Sequence, residues 1–537
     1  MKRISAAMAI LAGLTGCHAD DPEAVSGDRA ELARAPRDVA LVPIGRFVHG
    51  TFNADGGVAE IVAHAPSTQR LLVVNGQANA IDVLDMSDPA ALTRVATLEL
   101  GRFGGGVQSV ATHAGVGAAA VQGFVTTDPG RIVFFDVATG AVLDVVTAGA
   151  LPDMVAFTGD GRYLLSANEG EPSADYAIDP RGSVTIVDLR NGFPASARHV
   201  GFEAFDGAVP AGVRIGKRGA PASTDFEPEY LTISADSRTA WVTLQENNAI
   251  AVVDIAGARI TRVFGAGTSD HAAVDGGLDA SDRDSAIRIA RWPVRGLRMP
   301  DGIASYRLHP RGPTYLITAN EGDSRERVGF TDESRIGASG VRLDPVAFPN
   351  AASLKAAANL GRLKMVNTEG DTDGDGDHDR LFTFGGRSLS IFDDTGTLVF
   401  DSGDQLEQLT AGLFPASFNA SHDSNAFDGR SDDKGPEPEA VVVGKLFGRQ
   451  LAFLALERMS GIVVYDVTDP AAPELLHYGH TRDFAVAPGS GDAGDLGPEG
   501  LALISEDDSP TGHALLVVAY EVSGTTRVYE IRRTERP

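Results

Sequence analysis

The sequence predicts an all-β protein, a seven-bladed β-propeller with long loop insertions whose last blade is closed by an N-terminal strand. Three observations predict it. A short apolar segment ending in an acid recurs seven times, at Asp85, Asp136, Asp188, Asp254, Asp393, Asp466 and Glu530, and β-branched and aromatic residues dominate these segments, as strands prefer. Upstream of most of them lies a hairpin signal, as in residues 152–157, the Gly159-Asp160-Gly161 turn and residues 163–168, or residues 228–233, Ala235-Asp236-Ser237 and residues 240–244. Finally, 537 residues are too many for one compact core, whereas a repeat that packs only on its neighbours escapes that limit. Four-stranded units repeated in this way read as propeller blades. The alternatives are an eight-bladed ring or a split pair of sheets.

In chain order, Lys2 and Arg3 precede an apolar stretch, residues 4–13, far shorter than the about 20 residues that span a membrane. Leu14-Thr15-Gly16-Cys17 then resembles a lipobox, and Cys17 is the only cysteine. Residues 1–17 are therefore expected to be a lipoprotein signal ending at a lipidated Cys17, which leaves no disulfide in the mature chain. Residues 18–40 lack periodicity and read as a tether. The propeller is expected over 41–531, with a short tail at 532–537. Residues 41–52 form a strand without a partner ahead of the first repeat, while the last repeat stops after its third strand. Closure of the ring by that N-terminal strand removes both open edges. Three insertions break the period, at 257–299, 322–385 and 402–435, and residues 351–358 have helical composition. Insertions in a repeat gather on one face, often the binding face.

Lys and Arg total 46 against 73 Asp and Glu, a formal net charge of -27. This charge excludes binding to nucleic acid or an anionic membrane by bulk attraction. It suits divalent cations, and it also serves simple solubility outside the cytoplasm.

Two acidic positions recur within the repeats. The first opens the first strand: Glu60, Asp153, Glu229, Asp301, Glu439 and Glu499. The second closes the second strand: Glu169, Glu246, Glu321, Glu457 and Glu521. In an antiparallel hairpin these positions share an edge, so both sets are expected at one mouth of the channel. The second repeat lacks both and carries Gln108-Ser109. Such a ring of carboxylates needs cations, hydrogen-bond donors or raised pKa values, and hard oxygen ligands in a flexible ring suit Ca2+. Each acid taken singly also reads as a turn former. A second calcium signal is Asp371, Asp373, Asp375, Asp377 and Asp379, alternating about Gly374 and Gly376. Position 12 is Phe382, so the bidentate Glu of an EF-hand is absent. A third group, Asn419, Asp423, Asn425, Asp428, Asp432 and Asp433, is oxygen-rich but irregular. Arg325 and Arg458 are placed to hold an anion at the mouth or to neutralise their acidic neighbours.

The twelve His residues include no HExxH pair, no nucleophile elbow or phosphate loop is present, and two Trp argue against a Trp-docked quinone ring.

The chain resembles the choice-of-anchor I family, to which the mesenchyme-specific cell-surface glycoproteins belong. The likeness rests on Pro152-Asp153-Met154, Asn168-Glu169-Gly170-Glu171-Pro172, Gln245-Glu246-Asn247-Asn248 and Asn320-Glu321-Gly322-Asp323-Ser324-Arg325. It continues through the Asp371 loop, Gly385-Gly386-Arg387-Ser388, Lys434-Gly435-Pro436-Glu437-Pro438-Glu439, Gly497-Pro498-Glu499-Gly500 and Glu521-Val522-Ser523-Gly524-Thr525. The resemblance implies a surface protein, here anchored in the cell envelope through lipid on Cys17. The motifs are also similar to those of phytase-like propellers, and some relatives carry alkaline-phosphatase labels. Two functions follow as expectations. One is a monomeric, calcium-stabilised surface module for a small-molecule, polymer or mineral ligand. The other is a calcium-dependent phosphoric-ester hydrolase, in which Ca2+ clamps phosphate and activates water. No Lys and Arg cluster accompanies the acids in the repeats, which favours the first.

Overall fold

The computed structural model describes residues 38–534; the Cys17 segment and residues 18–37 lie outside them. Seven four-stranded antiparallel sheets carry the repeat. Blade 1 contains Val62–Ala65, Arg70–Asn75, Ala80–Asp85 and Thr93–Glu99, and blade 2 contains Val107–His113, Val116–Val121, Pro129–Asp136 and Val142–Ala150. Blade 3 is Pro152–Phe157, Tyr163–Asn168, Ser183–Asp188 and Ser196–Gly201; blade 4 is Pro228–Ile233, Thr239–Leu244, Ala249–Asp254 and Arg259–Gly265. Blade 5 is Ile303–Tyr306, Tyr315–Asn320, Ser388–Asp393 and Leu398–Asp401, and blade 6 is Pro438–Leu446, Arg449–Leu456, Gly461–Asp466 and Glu474–His480. In blade 7, Pro498–Ile504, Leu515–Tyr520 and Thr525–Arg533 are completed by Val39–Val48. The first strands of successive blades touch around a closed circle, with blade 7 against blade 1. The protein is a β-propeller.

Packing explains the sequence pattern. Second and third strands are covered on both faces by the neighbouring blades, so they read as unbroken apolar runs. Leu71, Leu72, Val73 and Val74 of blade 1 are all fully buried. Phe453 and Val464 of blade 6 pack on Leu516 and Tyr520 of blade 7, and Leu71 and Leu84 of blade 1 meet Val517 and Val528 from the other side. Each buried Leu, Val or Phe contributes about 1.5–3 kcal/mol.

The N-terminal strand runs antiparallel to Thr525–Arg533, with Val39 opposite Arg533 and Val48 opposite Thr525. It starts at Val39, so the last residues read as tether belong to the sheet, as do Arg532 and Arg533 of the expected tail. The acids that end the third strands cap the turn to the outer strand. Asp85 accepts from Ser87 N–H at 2.8 Å, Asp136 from Thr139 at 2.8 Å and Asp466 from Thr468 at 2.9 Å.

The first insertion begins later than 257. Arg259–Gly265 is the outer strand of blade 4, misread because its exposed edge carries charge instead of an apolar run. Residues 266–302 and the segment inside blade 5 fold together over Leu278, Trp292, Leu343, Leu363 and Met365. Of the stretch 351–358, one turn, Ala351–Leu354, is helical; a longer helix, Gln405–Leu413, lies in the third insertion. The segment between Gly201 and Pro228, which no period marked, carries a turn at Ala222–Asp225.

Candidate functional site

Four of the six first-position acids sit on β-bulges, while Glu60 and Asp301 lie just before the first strands of blades 1 and 5. Register slips between Pro152 and Met154, Pro228 and Leu231, Pro438 and Val441, and Pro498 and Leu501, so Asp153, Glu229, Glu439 and Glu499 fall inside the slip. A bulge re-aims its side chain, and a proline at the strand start sacrifices no ladder bond because it has no N–H. Blade 2 has the same bulge at Gln108. Glu60, Gln108, Asp153, Asp301, Glu499 and Glu521 line a cavity of about 130 Å3 at the ring centre.

The second-position acids follow the ends of the second strands. Asn168 and Asn320, both fully buried, fix those ends. Asn168 Nδ2 donates to Thr185 Oγ1 at 2.9 Å and Asn320 Nδ2 to Ser390 Oγ at 2.8 Å, which ties the strand to its neighbour and places the next residue, Glu169 or Glu321. The acid's own N–H is held by the residue that precedes the proline: Glu169 N–H donates to Leu151 O, Glu457 to Glu437 O and Glu521 to Gly497 O. Those acceptors lie in the left-handed region, at φ 45° for Leu151, 50° for Glu437 and 66° for Gly497. Non-glycine residues held there cost about 1–3 kcal/mol, and the cost recurs at this one rim.

Carboxylates from adjacent blades converge. Oxygens of Glu169, Glu229 and Glu246 lie within 4.8 Å of one another, as do those of Asp301, Glu321 and Glu439, and of Glu321, Glu437 and Glu457. Burial, then mutual repulsion, pushes Glu60 up to about 8 and Asp153 to about 7, and drives Glu169, Glu229, Glu439 and Glu499 well above the carboxylate range. The mouth has two unlike halves. On one side Lys434 Nζ lies 2.5 Å from Glu321 Oε1 and 3.4 Å from Glu437 Oε2. Burial works against an ionised Glu437, yet Lys434, Arg430 and Arg458 hold it well below its usual value. On the other side, among the described residues, Glu169, Glu229 and Glu246 pair with no base, and the Oε2 atoms of Glu229 and Glu246 are buried without a hydrogen-bond partner.

The insertions bring four cations to join Arg458, which sits in a turn of blade 6. Arg327, Lys364, Arg430 and Lys434 line with it a cleft of about 330 Å3 beside the ring, together with Asp323, Glu333 and Asp433. The expectation of acids without a basic cluster is therefore corrected: four of these five bases come from loops with no period. Arg325 is also corrected as an anion holder. It is buried, its Nη1 donates to Asp225 Oδ1 at 2.9 Å, and its Nη2 lies 3.0 Å from Glu227 Oε2, because the segment before blade 4 folds beneath it. Arg458 donates to Glu437 Oε2 at 2.8 Å and keeps one wall of the cleft. Sequence reasoning missed Asp225, Glu227, Glu437, Lys434 and His422, whose Nδ1 lies 2.8 Å from Glu457 Oε1. One signal was present: Glu227-Pro228-Glu229 and Glu437-Pro438-Glu439 place a second acid two residues before the first-position one.

The Asp371 loop divides. Asp371, Asp373 and Asp375 accept backbone N–H groups of their own turn, while Asp377 and Asp379 converge with Asp344 within 4.8 Å. Gly376 takes φ 88°, the sharp turn expected of it. The third group also disperses: Asp432 pairs with Arg335 and Arg362, Asp433 with Lys364 and Arg430, and Asn425 bonds Val486 O.

The choice-of-anchor I domain matches residues 60–470. The chain belongs to the choice-of-anchor I family. Gigasin-3a of Magallana gigas is 31% identical over 197 residues, covering 34% of this chain and 69% of that one. A mesenchyme-specific cell surface glycoprotein of Strongylocentrotus purpuratus is 28% identical over 239 residues, covering 38% of this chain and 31% of that one. Hydrazine synthase of Kuenenia stuttgartiensis aligns over 91% of this chain and all of that chain, with TM-score 0.46 and 12% identity. Membership places this choice-of-anchor I propeller among cell-surface or exported proteins. Among the described residues no helix is long and apolar enough to cross a membrane.

Proposed function

We propose that this choice-of-anchor I propeller is a surface module that loads Ca2+ at the Glu169, Glu229 and Glu246 side of its mouth and captures an anionic small molecule, polymer or mineral surface there. One observation carries the reading: carboxylate oxygens of Glu169, Glu229 and Glu246, from two adjacent blades, lie within 4.8 Å of one another, with two orphaned oxygens and, among the described residues, no paired base. An all-oxygen set of this kind fits a hard divalent ion. Lys434, Arg430 and Arg458, across the mouth, supply the complementary charge for an anion. The lipid on Cys17 is the anchor in this reading, at the cell envelope, and the chain acts as a monomer.

Calcium should raise the thermal midpoint; a native-state ligand at a hundredfold excess over Kd stabilises by about 2.7 kcal/mol. Glu229→Gln with Glu246→Gln should remove the mouth's share of that shift. An undiminished shift in this variant would overturn the reading. The calcium-dependent phosphoric-ester hydrolase is the second reading, favoured by the basic cleft beside the acids. Bound Ca2+ would supply Lewis-acid polarisation of a phosphoryl oxygen, and Lys434 and Arg458 would orient the ester. A panel of phosphate esters assayed with and without calcium decides between the two.

A further inference from the structure

We propose that the insertions bind a second cation, Ca2+, away from the mouth, between Asp279, Asp428 and the side-chain carbonyl of Asn419. Asp279 comes from the first insertion and Asn419 and Asp428 from the third. All three are buried, Asn419 and Asp279 at 0% exposure and Asp428 at 2%. Asp428 Oδ2 and Asn419 Oδ1 have no hydrogen-bond partner. Both residues meet at Ser431: its hydroxyl donates to Asp428 Oδ1, and Asn419 Nδ2 donates to it at 2.9 Å. That same Nδ2 reaches Glu407 Oε1 at 2.9 Å, and Glu407 Oε2 accepts Asp279 N–H at 3.1 Å. The side chains of Asp428, Ser431, Asn419 and Glu407 thus form one connected buried cluster, joined to Asp279 through its backbone N–H, in which two oxygens have no donor.

The charges do not balance. Among the described residues, the one ion pair to Asp279, Glu407 or Asp428 is that of Arg387, which lies 2.7 Å from Glu407 Oε1. Arg288 gives Asp279 Oδ2 only its backbone N–H, at 2.6 Å; its guanidinium goes to Ala358 O and Asn359 Oδ1. Asp284 adds a further negative field. Burial, then Asp279, pushes Asp428 up to about 8, and burial pushes Asp279 to about 7. An unpaired buried charge is too costly to persist, so a proton or a cation must fill the gap. Two carboxylates and an amide carbonyl on irregular loops are the donors Ca2+ accepts. The consequence reaches the mouth. Arg387 also donates to Ser431 O at 2.8 Å and Asp433 O at 2.7 Å, so the cluster pins the backbone that carries Arg430 and Lys434.

The test uses the whole chain with the other converging acids neutralised: Glu229→Gln, Glu246→Gln, Glu321→Gln, Asp377→Asn and Asp379→Asn together. Equilibrium dialysis against radiolabelled Ca2+ should still detect a bound equivalent, and adding Asp428→Asn should weaken it at least tenfold. No bound calcium in the background protein, or binding that Asp428→Asn leaves unchanged, means that a shared proton fills the cluster and overturns the proposal. Should the combined variant not fold, limited proteolysis of the background protein reads the same site. Calcium should protect residues 402–437 from cleavage, and equal cleavage with and without it overturns the proposal.

Discussion

The blades carry acids at both ends, and the two rings behave in opposite ways. At the base, Asp85, Asp136 and Asp188 end the third strands beside exposed turns, and Glu530 ends the equivalent segment of blade 7. Donors of the following turn hold Asp85 and Asp136 below the usual carboxylate value, and Arg190 and Arg532 do so for Asp188 and Glu530. At the mouth, Glu169, Glu229 and Glu246 are desolvated, face other acids, and are driven the other way. Both rings place a carboxylate at a fixed point of the repeat. What differs is the supply of donors: the base acids are met by their own turn or by a neighbouring Arg, whereas Glu229 and Glu246 at the mouth each keep an oxygen that no donor reaches. Recurrence of an acid in a repeat therefore identifies architecture, while an acid that no donor reaches identifies a site.

The comparison breaks most completely if the ring is opened. Deletion of Val39–Val48 leaves Thr525–Arg533 as a bare edge and frees blade 7, which contributes Glu499 and Glu521. Cooperative thermal unfolding and the calcium response should both be lost, and aggregation should appear in light scattering. Deletion of residues 20–36 should change neither.

The second contrast is with pH. Glu60 moves from 4.5 to about 8 on folding. Between those values the folded protein holds protons that the unfolded chain has lost, so without calcium stability should fall as pH rises from about 4.5 to about 8. The base ring titrates in the opposite sense and below that window. Denaturation midpoints measured across the window, with chelator and with calcium, check the slope; calcium should flatten it. A chelated protein whose midpoint rises with pH would show that the mouth acids are not the dominant titrating set.

The smallest effect belongs to the base. Asp85→Ala removes one charge-assisted bond to Ser87 N–H and should cost about 1 kcal/mol, with the calcium-dependent shift untouched in calorimetry. Dependence of that shift on Asp85 would erase the distinction between the rings.

The blades and both acid rings were legible because they repeat. Strands covered on two faces must be apolar throughout, as 71–74 are, and a bulge following proline needs the same residues each time. The second half of the site was not legible. Lys434, Arg430 and Glu437 reach the mouth on a loop whose course is set by Arg387, some fifty residues earlier in the chain and bonded to Ser431 O and Asp433 O. Asp225 and Glu227 arrive on another loop that no periodicity marks. Arg259–Gly265 was lost for a related reason: an outer strand has a single neighbour, so its composition resembles that of a loop. Alternation could have recovered it, since Ile260 is partly buried between exposed Arg259 and Thr261. Asp279 and Glu407 are far apart in sequence and meet only because two insertions interlock.

The pairing of Val39 with Arg533 also fixes an order of events in synthesis. The strand Val39–Val48 has as its neighbour one that is made after the strands of all six other blades. Blades 1 to 6 have all their strands in hand as they emerge, but the seventh waits for a partner from the far side of the sequence. Contacts this distant in sequence form slowly, so the circle stays unsealed, with bare edges on blades 1 and 6, until Thr525–Arg533 meets Val39–Val48.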